Sequence, residues 1–167
     1  MRPTKLLLHH SATVDSETFS WSAIRRFHES YAYEGVTLSY EEAIKLIGQG
    51  KNVKRPWKAI GYHFGIEKVN EYYEIMFGRF PYEKGAHEKT MNHCSIGLCF
   101  VGNFDLVLPP KEQWDLGIKL VSWLCFRYGL KREDVYGHRD FNKSKTCPGL
   151  MFDVEKFRKE LVLKEDK

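Results

Sequence analysis

Apolar residues come along the chain in short blocks with two different periods. Lys5 to His10 is a compact run, Leu6-Leu7-Leu8, that breaks into polar residues; it predicts a buried strand delivering His9 and His10 to its carboxyl end. Ser16 and Thr18, followed by Trp21, Ile24, Arg25 and Phe27-His28, predict an amphipathic helix with a serine cap. Ser39-Tyr40-Glu41-Glu42, leading into Ala43, Ile44 and Leu46-Ile47, predicts a second short helix that Gly48 and Gly50 end. Ala59 to Ile66 alternates as a strand does, with Glu71 to Phe77 as its hairpin partner. Ser95 to Gly102 is almost continuously apolar, the pattern of a strand covered on both faces. Behind Pro109-Pro110, the residues Trp114, Ile118, Val121, Leu124, Cys125 and Tyr128 recur at helical spacing, and Gly129 closes that helix. Val135-Tyr136-Gly137 is a brief strand before His138, and Phe152 to Leu161 a last helix. Strands alternate with helices, so the expected fold class is α/β: a single domain with a central mixed, mostly buried sheet flanked by helices.

Size agrees with that pattern. A chain of 167 residues, 43% hydrophobic and 29% charged, suits one globular domain over 1–167 with a proper core. No apolar run approaches the ~18–20 residues of a membrane span, so membrane insertion is not expected. Leu6 to Leu8 is also too short for the apolar part of a signal peptide, which predicts synthesis in the cytoplasm without an export address. The net charge of +4 favours an anionic polymer as partner without choosing among wall, membrane surface and nucleic acid. The basic excess concentrates between Ala43 and Ile66, where Lys45, Lys51, Lys54, Arg55 and Lys58 meet no acid. Without regularly interleaved aromatics that segment reads as a solvated loop, and nucleic acid is not an expected partner. Cys94, Cys99, Cys125 and Cys147 form no Cys-x-x-Cys pair, and reduced thiols are the default. The first three lie on apolar patterns and read as small buried hydrophobes.

Three regions hold polar residues that a core would not select: His9 to Thr13, Gly61 to Phe64, and Gly137 to Asp140 running on to Lys145-Thr146-Cys147-Pro148-Gly149. Ligands of open α/β sheets bind at the carboxyl ends of strands. His9 and His138 leaving one edge, with Cys147 behind His138, would make a cluster of two histidines and a cysteine. That set suits Zn²⁺ with a fourth position open for chemistry, a zinc cleft at strand ends. The spacing alone is no metal motif, because His9 lies far upstream of the other two.

The strings HHSAT, GYHFGI, GAHEKTMNHCSIGLCFVGNFD and GHRDFNKSKTCPG stand in that order from His9 to Gly149. Together they resemble the zinc-dependent N-acetylmuramoyl-L-alanine amidases of type 2, the family of small phage lysozymes and peptidoglycan-recognition proteins. Cys147 brings the pattern nearest to the small phage amidases, since wall-recycling relatives have Asp at that place. By position, the resemblance implies His9, His138 and Cys147 as ligands of one Zn²⁺ and Tyr62 and Lys145 as the catalytic pair. It also implies His87 and Asn92 as residues lining the substrate groove. Lys143 is the rival to Lys145, which stands two residues before the cysteine as the pattern asks. Residues 31–58 are longer than the link small phage amidases have there and read as an insertion at the cleft rim.

The implied chemistry is hydrolysis of the bond between N-acetylmuramic acid and L-alanine in peptidoglycan. Zinc would activate water and polarise the carbonyl, with Lys145 and Tyr62 stabilising the oxyanion and one of them protonating the departing amine. A phage endolysin is the implied role, a monomer made in the cytoplasm and acting on the wall after release. The alternatives are a bacterial wall-remodelling amidase and a recognition module that holds the glycopeptide without cutting it; non-cutting members typically lack the cysteine. Elsewhere, His10 should face away from His9 and serve packing, and His63 and His28 read as structural. Trp57 could stack on a sugar but reads more simply as core, and Asn103-Phe104-Asp105 reads as a turn.

Overall fold

The computed structural model describes residues 1–13 and 21–163. Five strands form the main sheet: β1 (Lys5–His10), β4 (Phe64–Val69), β5 (Tyr72–Phe77), β6 (Ser95–Phe100) and β7 (Val135–Gly137). Their order is β5-β4-β6-β1-β7; β4, β6, β1 and β7 run parallel, and β5 returns antiparallel to β4. The sheet is therefore mixed, as expected. Central β6 is buried along its whole length, which is why its sequence shows no alternation.

Side chains alternate across this sheet and divide the molecule into two faces. Leu6, Leu8, Ile96, Leu98, Phe100 and Val135 point to one face. There they pack under α3 (Lys111–Tyr128) and α5 (Val154–Lys159) through Leu120, Val121, Leu124 and Phe157. Gln113 of α3 donates from Nε2 to the carbonyls of Ile66 and Val101, 2.9 Å each, tying the helix to β4 and to the end of β6. Gly129 ends α3 in the left-handed region at φ 67°, its N–H reaching the carbonyl of Cys125. His9 and Cys99 point to the other face, where α1 (Trp21–His28) lies. A Cβ at Gly65 would stand 2.4 Å from the Trp21 ring, so the bare strand surface there lets the indole lie on the sheet. Glu67 Oε2 accepts from the Trp21 N–H at 2.8 Å and fixes the start of α1.

Most predicted elements form, with three differences of physical interest. Strand β4 begins at Phe64, not Ala59, because the backbone of 59–62 is used elsewhere. Arg79 donates its guanidinium to the carbonyls of Ala59 and Ile60, and Gly61 bonds with His28 and with the Ala86 N–H. The insertion holds an unforeseen hairpin, β2 (Tyr31–Tyr33) and β3 (Val36–Leu38), ahead of α2 (Tyr40–Gly48). Glu34 and Gly35 turn it with φ of 49° and 83°, both positive as a two-residue hairpin loop requires. Lys54 closes α1 from this insertion, its ammonium reaching the carbonyls of Phe27, His28 and Ser30 at 2.9–3.0 Å. The last helix starts at Val154, two residues late, because Asp153 caps it by accepting from Lys156 N–H. The Ser39 cap of α2 is present with Glu42 reaching back; the Ser16 and Thr18 cap of α1 lies outside the described residues. Among the described residues, no helix is long and apolar enough to cross a membrane.

Candidate metal centre and active site

Three separate backbone devices bring the site together. Strand β1 carries His9 on the face away from α3. At the end of β7, Asp140 Oδ2 accepts from Gly137 N–H at 2.9 Å, which opens the short helix α4 (His138–Phe141) and leaves His138 at the strand's carboxyl end. Arg139 then folds the following loop back. Its N–H donates to the Cys147 carbonyl at 2.8 Å, and its guanidinium gathers the carbonyls of Thr146, Gly149 and Phe152. Asp105 holds the same loop from outside, accepting from Thr146 Oγ1 and Leu150 N–H. Cys147 thereby arrives beside β1, where its sulfur accepts from His10 N–H at 3.4 Å.

One ligand atom each from His9, His138 and Cys147 lies within 4.8 Å of the others. His9 Nδ1 is 3.6 Å from Cys147 Sγ, and the His9 and His138 rings are 4.6 Å apart between centroids. Burial, with His87 and His138 nearby, holds His9 far below the usual histidine range, so its ring is neutral. Burial also lowers His138, against the pull of Glu88. The Cys147 thiol is pushed up to about 12, chiefly by burial. Two neutral imidazoles and a sulfur that can ionise only beside a cation form a donor set suited to zinc.

Around this centre the other sequence-derived residues fall into distinct places. Tyr62 lies half-buried against His9, ring centroids 5.3 Å apart, at the entry to β4 and not within a strand. Burial and the Cys99 and Cys147 sulfurs raise its phenol well above the ordinary value, so it stays protonated. Lys145 is exposed at the rim, and its charge reaches both His138 and Cys147, lowering each. His87 stands behind His9, its Nδ1 3.0 Å from His9 Nε2. Asn92 directs its amide oxygen at the N–H groups of His87 and Glu88, at 2.7 and 2.9 Å, and so shapes the loop that carries His87.

His10 faces the α3 side, accepting from Phe104 N–H. His63 is fully buried, accepting from Gly97 N–H and pairing with the Glu83 carbonyl. His28 accepts from Gly61 N–H. Asn103 to Asp105 form the expected turn, and all four cysteines are free. Trp57 corrects its expectation: it is 38% exposed and stacks on His28 at 4.5 Å, because its backbone N–H bonds to the His28 carbonyl and holds it on the end of α1. Glu88 went unremarked in the sequence. It is buried, and its Oε2 lies 2.9 Å from His138 Nε2.

Residues 1–150 match the family model described as N-acetylmuramoyl-L-alanine amidase. This chain belongs to that family. Among its relatives, the endolysin of Enterobacteria phage T3 is 28% identical over 165 residues, spanning 94% of this chain and 87% of the phage protein. Peptidoglycan-recognition protein LB of Drosophila melanogaster is 33% identical over 98 residues, 58% of this chain. That match spans 40% of the fly protein's length, and a second fly relative, recognition protein SD, is matched over half of its own. The fold of this amidase-family chain is likewise that of an N-acetylmuramoyl-L-alanine amidase from Clostridium intestinale URNW. There the TM-score is 0.69 at 24% identity over 98% of this chain and 88% of that one. Wild-type Drosophila recognition protein LB superposes with a TM-score of 0.60 at 24% identity, over 89% and 76% of the two chains.

Proposed function

We propose that this chain hydrolyses the amide between N-acetylmuramic acid and L-alanine in peptidoglycan, as a zinc-dependent endolysin of phage type. The observation that carries the reading is the meeting of His9, His138 and Cys147 with Tyr62 beside them. Its support from kinship is a phage endolysin aligned along nearly the whole chain.

His9, His138 and Cys147 would hold the zinc, whose Lewis acidity activates water and polarises the scissile carbonyl. The remaining work falls to the protein. Tyr62 is a protonated phenol beside His9 and would serve as a hydrogen-bond donor to the oxygen where negative charge develops. Lys145 places an ammonium at the open rim, where it stabilises that same charge and can give a proton to the departing amine. His87 and Asn92 build the groove floor behind His9. The insertion 31–58 borders this site through Trp57, which stacks on His28 of α1, whose ring is 5.6 Å from that of Tyr62.

Purified cell wall tests the reading. Free amino groups should appear on digestion, vanish with a chelator and return with zinc, and mass spectrometry should find lactyl groups freed of peptide. Binding to the wall without any release of amino groups would make the protein a recognition module instead.

A further inference from the structure

Each of the two histidines must present a lone pair, and a neutral imidazole has only one. Which nitrogen keeps the proton is set by what the other side of the ring touches. His9 turns Nδ1 to Cys147 and Nε2 to His87 Nδ1. His138 turns Nε2 to the Glu88 carboxylate. A carboxylate only accepts, so His138 carries its proton on Nε2 and its free pair on Nδ1. We propose that Glu88 is a positioning residue for the metal, fixing the tautomer and orientation of His138, and that the loop 87–92 aligns both histidines at once.

The surroundings of Glu88 leave it little else to do. It is 6% exposed, a depth at which a carboxylate needs partners. Thr90 occupies Oε1 twice, through its N–H at 3.0 Å and its hydroxyl at 2.8 Å, leaving Oε2 aimed at His138. Glu88 is outside the cluster of mutually close ligand atoms, so it stands behind a ligand and is not one. His87 and Glu88 are consecutive, and one acceptor, Asn92 Oδ1, holds both of their backbone N–H groups. A single turn of chain thus supports two histidines, one on β1 and one at the start of α4. The charge also balances: a dication, one thiolate and this carboxylate sum to zero in a buried place.

The proposal rests on zinc as the metal, and its test separates the two. Zinc affinity of the full chain is measured by competition with a chromophoric chelator for the parent, Glu88→Ala, Glu88→Gln and Thr90→Val. Nitrogen NMR of the zinc-loaded parent and of Glu88→Gln reads the tautomer of His138. The parent should hold one zinc with His138 protonated at Nε2. Glu88→Ala should bind about 10- to 100-fold more weakly, while its metal-free form melts with the metal-free parent. Glu88→Gln keeps an acceptor oxygen and should recover part of the loss, and Thr90→Val should fall between parent and alanine variant. Equal affinity of parent and Glu88→Ala overturns the proposal and leaves zinc standing; so does His138 protonated at Nδ1 in the parent. Loss of affinity matched by an equal loss of metal-free stability in both Glu88 variants marks a structural role and also overturns it. A parent that binds no zinc removes both readings. Should Glu88→Ala not fold, Glu88→Gln and the NMR readout decide alone.

Discussion

Cys147 Sγ lies 3.6 Å from His9 Nδ1, though 138 positions separate the two along the chain. Arg139 and Asp105 make that approach possible by folding the loop after α4 back onto β1. The thiol they deliver is buried and reluctant to ionise, so in this place it is useful only to a cation.

Replacing that sulfur should therefore cost the metal itself. Cys147→Ser is expected to lose stoichiometric zinc and all wall hydrolysis. Elemental analysis of the purified variant checks this, and a full zinc complement would remove Cys147 from the ligand set.

Tyr62→Phe separates chemistry from metal binding. Zinc content should be unchanged, while amide hydrolysis falls by about 10²-fold, the usual loss of one donor to a developing oxyanion. Turnover within twofold of the parent would take the phenol out of the mechanism.

Gly97 lies under the His87 ring, and a Cβ there would stand 2.5 Å from Cδ2. Gly97→Ala should destabilise the protein by about 1–3 kcal/mol, as overpacked cores do, and weaken zinc binding by shifting His87 from behind His9. Thermal unfolding and chelator competition measure the two effects. An unchanged melting temperature would mean that His87 is free to move.

His63 should make stability depend on pH. Burial lowers its pKa to about 4 from 6.5, and its Nδ1, already accepting from Gly97 N–H, has no place for a second proton. The folded form is then the poorer proton binder. Its contribution is complete above pH ~6.5 and is lost as pH falls towards 4, about 3 kcal/mol across that window. Denaturation midpoints measured from pH 7 to pH 4.5 should decline, and less steeply in His63→Asn; parallel curves would show that another group governs the trend.

Several parts of this molecule were legible from residue order alone. Strands β1 and β6 follow from short continuous apolar runs, as strands buried on both faces show, and the long α3 with its Gly129 stop follows from its helical period. The four strings from His9 to Gly149 likewise disclosed the family, and pointed to the His9, His138 and Cys147 that the fold brings together, since their residue types and order survive any rearrangement in space. Other features were decided by tertiary structure. Ala59 to Tyr62 alternates like a strand, yet Arg79, His28 and Ala86 take its backbone groups, and those partners come from remote segments. The Glu34-Gly35 hairpin is too short to show a period. Nothing in the order of residues around Glu88 sets it apart from other acids. Its role depends on a 2.9 Å contact with a ring fifty positions away. A local pattern records how each segment meets water; which proton sits on which nitrogen is settled only when remote segments touch.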